Sequence, residues 1–204
     1  MAFYERLSAQ DASFIGLEDS RCHMHVGGVM LFDARPLRTA VGGLDIDRIR
    51  QAIAARLHLV PRFRQRLSYL PFWIDDDRFR LAYHVRHTAL PRPGDERTLK
   101  RLVGRIMSQQ LDRSRPLWEM WFVEGLADDQ FALISKTHHC MIDGVAGADL
   151  ISVIMEPTPN PEPGEPLPWI PRPHPSDARL LFDEARRRLA QPLDVLRAAQ
   201  QAVR

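Results

Sequence analysis

His138 and His139 are adjacent, and after three further residues the chain carries Asp143 and Gly144. An imidazole is the side chain whose ordinary pKa lets it take and return a proton near neutral pH. A carboxylate at a short fixed offset can orient its surroundings, and a glycine admits backbone or ligand at close range. Neighbouring residues on extended backbone point to opposite faces, so at most one of the two histidines can act as a base in a given cavity. Two other readings compete. The pair could be polar residues at a strand end, one packed and one solvated. Alternatively, a metal could sit on His138, His139 and Asp143, or on His23 and His25. Adjacent rings that point apart chelate badly, and no His-x3-His or Cys-x2-Cys spacing is present, so no metal is expected. Cys140 follows the pair, but nothing in its surroundings marks a lowered thiol pKa, and a small buried residue is the expectation.

The elements around these residues must hold them on a rigid frame. Val26 to Phe32 reads as a buried strand interrupted by Gly27-Gly28. Leu44, Ile46, Ile49, Ile53, Leu57 and Val60 recur at near-helical spacing, which predicts an amphipathic helix over 45–59, with Asp45 or Asp47 as its cap and Pro61 as its stop. Phe79 to His87 alternates as a strand would, and Pro91-Arg92-Pro93-Gly94 is a turn. Asp95 opens a second helix with Leu99, Leu102, Val103, Ile106, Met107 and Leu111 on one face. Trp118 to Val123 and Phe131 to Ser135 are predicted neighbouring strands, joined through Gly125 to Asp129. Trp118 and Trp121, three apart, should then face opposite sides. The histidines fall just past the second of these strands, and Gly144 to Met155 reads as the next helix. A loop between strand and helix is a favoured place for chemistry.

Composition narrows the function classes. The chain has 204 residues, 45% of them hydrophobic, which supports one cored domain with additional sequence. A net charge of +2 gives no reason to expect nucleic acid as a partner. Nearly all the positive charge is arginine, since the only lysines are Lys100 and Lys136. Cys22 and Cys140 make no disulfide framework, the start lacks a signal-peptide pattern, and no apolar run spans a bilayer, which together predict a cytoplasmic protein. Nine of the nineteen residues from Pro157 to Pro175 are proline, a composition that gives a stiff extended connector. An arginine-rich helix is expected from Asp177, with Arg179, Arg186, Arg187 and Arg188 as a candidate basic face for a lipid surface. The predicted organisation is a lobe over 1–156, a connector over 157–176 and a helical segment over 177–204, leading to something further.

The motifs resemble those of the bacterial wax ester synthase/diacylglycerol acyltransferases, within the CoA-dependent acyltransferase superfamily that includes chloramphenicol acetyltransferase. His138 to Gly144 is similar to the superfamily's HHxxxDG motif. Leu7 to Phe14 is similar to the family's LSxxDxxF opening, and Pro116-Leu117-Trp118 to its PLW element. Met24 to Gly27 and Pro61 to Leu67 also look like family segments. The resemblance covers about residues 5 to 155 and departs in length, because family members are roughly twice as long and place the site between two lobes.

The resemblance implies an α/β fold, a chloramphenicol acetyltransferase-like lobe with a mixed sheet and flanking helices. It implies transfer of a fatty acyl group from acyl-CoA, a substrate rather than a cofactor, to a long-chain alcohol or diacylglycerol. His139 is then the general base, with His138 shaping the site. Asp143 holds the loop through an arginine, Gly144 leaves room for substrate, and Leu117 and Trp118 contribute to the pocket wall. The second lobe would be a separate or cleaved chain, and contact with a membrane or lipid-droplet surface would be peripheral. Two alternatives stay open: a non-catalytic binding or assembly lobe, and a condensation-type acyltransferase that uses carrier-protein thioesters.

Overall fold

Two β-sheets and the helices packed on them make up the protein in a computed structural model that describes residues 3–141 and 164–202. In chain order the elements are β1 (Glu5–Arg6), α1 (Ala9–Leu17), β2 (His25–Asp33), α2 (Ile46–Arg56), β3 (Gln65–Leu67), β4 (Phe72–Asp75), the one-turn α3 (Leu81–His84), β5 (Val85–Ala89), α4 (Glu96–Met107), β6 (Trp118–Glu124), β7 (Gln130–His138) and α5 (Asp177–Ala202). The smaller sheet runs β1-β4-β3 and the larger β2-β7-β6-β5. β5 and β6 pair in parallel, and the other pairs are antiparallel. Parallel neighbours need a crossover, and α4 supplies it.

Period-two alternation divides the larger sheet's side chains between two cores. Trp118, Met120 and Phe122 of β6, with Phe131 and Leu133 of β7, face a core shared with α2. Val123, Ala132 and Ile134 face the opposite way, onto Leu99 and Ile106 of α4, with Trp121 packed alongside. The two tryptophans therefore lie on opposite faces, as their spacing predicts. Removing each large apolar side chain from water contributes roughly 1.5–3 kcal/mol, so a strand buried on both faces anchors the lobe.

The helix starts follow their sequence signals. Asp45 accepts from the Arg48 N–H at 3.0 Å and Asp95 from the Thr98 N–H at 2.8 Å, which caps α2 and α4. The predicted helix over 45–59 ends as a regular helix at Arg56 and continues as a 3₁₀ turn over Leu57–Leu59. Gly94, in the turn ahead of α4, has φ +71°, and a Cβ there would lie 1.9 Å from the Gly125 carbonyl oxygen. Only glycine fits that position.

Three expectations are corrected. β2 is a strand but not a buried one: it is the edge of its sheet, with Val26 47%, Val29 43% and Leu31 52% exposed. The predicted strand over 79–87 is broken by α3. Phe79 and His84 stack on the same side at 5.2 Å, and a strand would put residues five apart on opposite faces. His138 is the last residue of β7, paired with His25, and only His139 lies beyond the strand. The helix predicted from Gly144 to Met155 lies outside the described residues.

Residues 164–176 hold no helix or strand and run along the lobe. Arg172 makes a two-pronged pair with Asp75 at 2.6 and 2.8 Å, and its own N–H bonds the same carboxylate at 2.9 Å. Burial alone would raise the Asp75 carboxyl, but the Arg172 bonds hold it below its ordinary value. Trp169 meets Phe79 edge-on and lies under the Arg64 guanidinium. α5 docks by buried Leu180, by Glu184 paired with Arg6, and by Asp183 bonded to the Tyr4 hydroxyl.

Candidate active site

β7 delivers the two histidines to the C-terminal end of α1. Ser8 caps α1 by accepting from the Asp11 N–H at 3.0 Å, which sets where the helix begins and which residues share a face. Glu18 is the residue that caps the end of α1, and its N–H closes the last turn on the Phe14 carbonyl at 3.2 Å, so the two lie one turn apart. Phe14 lays its ring on that of His139, with centroids 4.0 Å apart. Glu18 brings its carboxylate to 3.6 Å from His138 Nε2, longer than a direct hydrogen bond. The two rings thus meet a residue of α1 and the residue that caps it.

His138 is 0% exposed. Its Nδ1 accepts the Cys140 N–H at 3.2 Å, and a backbone N–H can only donate, so the ring proton of the neutral imidazole is on Nε2. Burial drives its pKa down to about 4; Glu18 opposes that, and Arg113, His25 and His139 reinforce it. A second proton would have to go to Nδ1, against the Cys140 N–H. His138 is therefore a neutral, sealed residue at pH 7. His139 is half-buried, opens a 3₁₀ turn, and donates its backbone N–H to the Met24 carbonyl at 2.8 Å.

Glu18 is the most heavily bonded carboxylate of the site. Its Oε2 accepts from Arg113 Nε at 3.0 Å, Arg113 Nη2 at 2.7 Å and Gln110 Nε2 at 2.9 Å; its Oε1 accepts the Met24 N–H at 3.3 Å. Burial alone would raise its pKa, but the Gln110 and Arg113 bonds outweigh it and the group stays ionised. Below it lies Lys136, 1% exposed, whose ammonium bonds the Ile106 carbonyl at 2.9 Å and also the Gln109 carbonyl. That charge sits at the C-terminus of α4, where the helix dipole favours a cation, and it fixes the loop that carries Gln110 and Arg113. Its pKa is lowered by burial.

Cys140 is buried, and burial pushes its thiol up to about 12, so it is no nucleophile at neutral pH. Leu117 and Trp118, expected at a pocket wall, are core residues 0% and 1% exposed. Trp118 stacks between Phe63 and His84 and donates its indole N–H to the Phe63 carbonyl at 2.9 Å. Asp143 and Gly144 lie outside the described residues. No group of three or more metal-ligating side chains is arranged around a common point among the described residues.

Glu18, Gln110 and Arg113 were not found from sequence. Glu18 was in principle legible, since Asp11, Phe14 and Glu18 follow helical spacing. Arg113 was not, because its partner is 95 residues away.

Comparison with known proteins gives this site a context. The family model described as the wax ester synthase/diacylglycerol acyltransferase catalytic domain matches residues 7–204. A probable diacylglycerol O-acyltransferase, tgs3, of Mycobacterium tuberculosis is 38% identical over 204 residues, covering 97% of this chain and 73% of that protein. Another from the same organism, tgs1, is 40% identical over 153 residues, 72% of this chain and 32% of its own length. The solved wax ester synthase/diacylglycerol acyltransferase of Marinobacter aquaeolei VT8 superimposes with a TM-score of 0.57 at 37% identity, over 72% of this chain and 37% of that one. The starter condensation domain of the rhizomide synthetase RzmA superimposes with a TM-score of 0.57 at 13% identity, which shows a shared fold alone. The chain thus spans about three quarters of one relative and little more than a third of the Marinobacter protein.

Proposed function

Since the chain belongs to the wax ester synthase/diacylglycerol acyltransferase family, we propose that it transfers a fatty acyl group from acyl-CoA to a long-chain alcohol or diacylglycerol, with His139 as general base. The observation that carries this reading is the asymmetry of the pair. His138 is sealed and committed, while His139 stands half-buried on Phe14 at the end of a rigid strand. The alcohol O–H gives its proton to His139 as its oxygen bonds the thioester carbonyl carbon. The tetrahedral adduct then collapses, the C–S bond breaks, and His139 returns the proton to the departing CoA thiolate. Such general base–acid work contributes typically about 10²–10⁴-fold, and positioning and oxyanion donors supply the rest. No acyl-enzyme and no cofactor enter the scheme. Asp143 holds the loop, and Gly144 leaves room for substrate; Leu117 and Trp118 back the pocket wall from the core.

A second lobe completes the site in this reading. The test is CoA release from palmitoyl-CoA with hexadecanol or dioleoylglycerol, using this chain mixed with a separately made second lobe. Activity in the mixture that His139→Ala reduces by about a hundredfold or more supports the proposal. Full activity in His139→Ala refutes it, and no activity in a demonstrated complex favours a non-catalytic assembly lobe. Contact with a lipid surface is proposed for α5, whose exposed Arg186, Arg188, Leu181, Phe182 and Leu189 mix basic and apolar groups. Vesicle binding unchanged by reversing the two arginines removes that part. No described helix is long and apolar enough to cross a membrane.

A further inference from the structure

Deepening the reading of His139 as the base, we infer that Glu18 and Arg113 are positioning residues: Glu18 presents a carboxylate to His138 Nε2 and, through the two main-chain groups of Met24, fixes where His139 stands. The geometry supplies each link. Glu18 Oε1 faces His138 Nε2 at 3.6 Å and accepts the Met24 N–H at 3.3 Å. The carbonyl of the same residue, Met24, receives the His139 N–H at 2.8 Å. Phe14, one turn before Glu18, packs its ring on the His139 ring with centroids 4.0 Å apart. The last turns of α1 and the residue that caps it therefore face both histidines, Glu18 by charge towards His138 and Phe14 by its ring on His139, while Met24 supplies the backbone contact to His139.

Arg113 makes a buried carboxylate tolerable in this place. With the Glu18 side chain 0% exposed, burial favours its protonated form, and Arg113 acts with Gln110 against that; a protonated Glu18 could not oppose the His138 Nε2–H with a full charge. Arg113 also donates to the Ile15 carbonyl at 2.9 Å, which ties the loop after α4 to the last turn of α1. The charged and titratable groups acting on His138 are Glu18 from α1, Arg113 from that loop, His25 from β2 and the adjacent His139. A misplacement of about 1 Å in a base can cost on the order of 10²-fold in rate, so a network that fixes a main-chain position matters to the chemistry without touching substrate.

The test is nuclear magnetic resonance on the intact chain, with no substrate and no activity measurement, so its failure is distinguishable from failure of the acyl-transfer reading. Long-range proton–nitrogen correlation at pH 7 should show His138 as the Nε2–H tautomer, and His139 ring protons shifted upfield by Phe14, a shift that Phe14→Leu abolishes. Glu18→Gln should move the His138 titration midpoint further down by about one unit or more, because it removes the one opposing negative charge. The paired variant Glu18→Leu/Arg113→Met keeps charge balance and apolar bulk. It should move the His139 ring protons towards their Phe14→Leu positions while it stays folded. An Nδ1–H tautomer for His138 in the wild type overturns the proposal even if neither variant folds. So does a midpoint near 6.5, or a folded paired variant with unchanged His139 resonances.

Discussion

His84 offers the sharpest quantitative check on the core. It is 1% exposed, stacked on Phe79 at 5.2 Å and on Trp118 at 4.6 Å. Its Nδ1 lies 2.8 Å from the Trp118 carbonyl, which only accepts, so the proton is on Nδ1, and Nε2 is a buried lone pair without a hydrogen-bond partner. Burial lowers its pKa from 6.5 to about 4, against the smaller opposing effect of the Trp118 bond. Because the unfolded chain takes up this proton first, the stabilisation is complete above pH 6.5 and is lost as pH falls towards 4. Two-state linkage gives a loss of roughly 2 kcal/mol between pH 7 and pH 5 from this one residue. His138 contributes in the same direction. His84→Phe keeps both stacks and forfeits the carbonyl bond, so it should be less stable at pH 7 by about 1 kcal/mol. Its pH dependence between 7 and 5 should be shallower than the wild type's by roughly 2 kcal/mol. Urea unfolding followed by tryptophan fluorescence at pH 7, 6 and 5 measures both. Parallel pH dependences for the two proteins would refute the reasoning.

Three further outcomes follow from particular contacts. Gly94→Ala forces an L side chain into positive φ against the Gly125 carbonyl and should cost about 2 kcal/mol or more, seen as a melting temperature lower by roughly 4 °C or more. Lys136→Met leaves the Ile106 carbonyl without its ammonium partner and should destabilise by about 2 kcal/mol in urea titration; an unchanged midpoint would show that solvent satisfies that helix end. Arg172→Ala removes the two side-chain bonds to Asp75 and keeps only the backbone N–H bond, and limited proteolysis should then cut residues 164–176 faster while the rest of the lobe keeps its wild-type rate.

What sequence could show followed from local rules. The caps at Asp45 and Asp95 and the opposite faces of Trp118 and Trp121 rest on spacings within one element, and they are as predicted. β2 was misjudged because an apolar strand reads the same at the edge of a sheet as at its centre, and only strand order separates the two cases. The break at α3 escaped because its cause is a stack of Phe79, His84 and Trp118 that spans two elements. The motif located the histidines, but the carboxylate and guanidinium that stand beside His138 come from Glu18 and Arg113, 95 residues apart, whose meeting is a property of the folded chain.

β2 has one further consequence. Among the described residues no strand pairs with its outer side, which presents a row of main-chain donors and acceptors along His25–Asp33, and the stretch from Val26 to Phe32 contains neither proline nor a charged residue to discourage pairing. Such a border is a template for strand addition by another chain. Solutions of this lobe should therefore grow more turbid with concentration, and a lysine in place of the exposed Val29 on that edge strand should keep them clear.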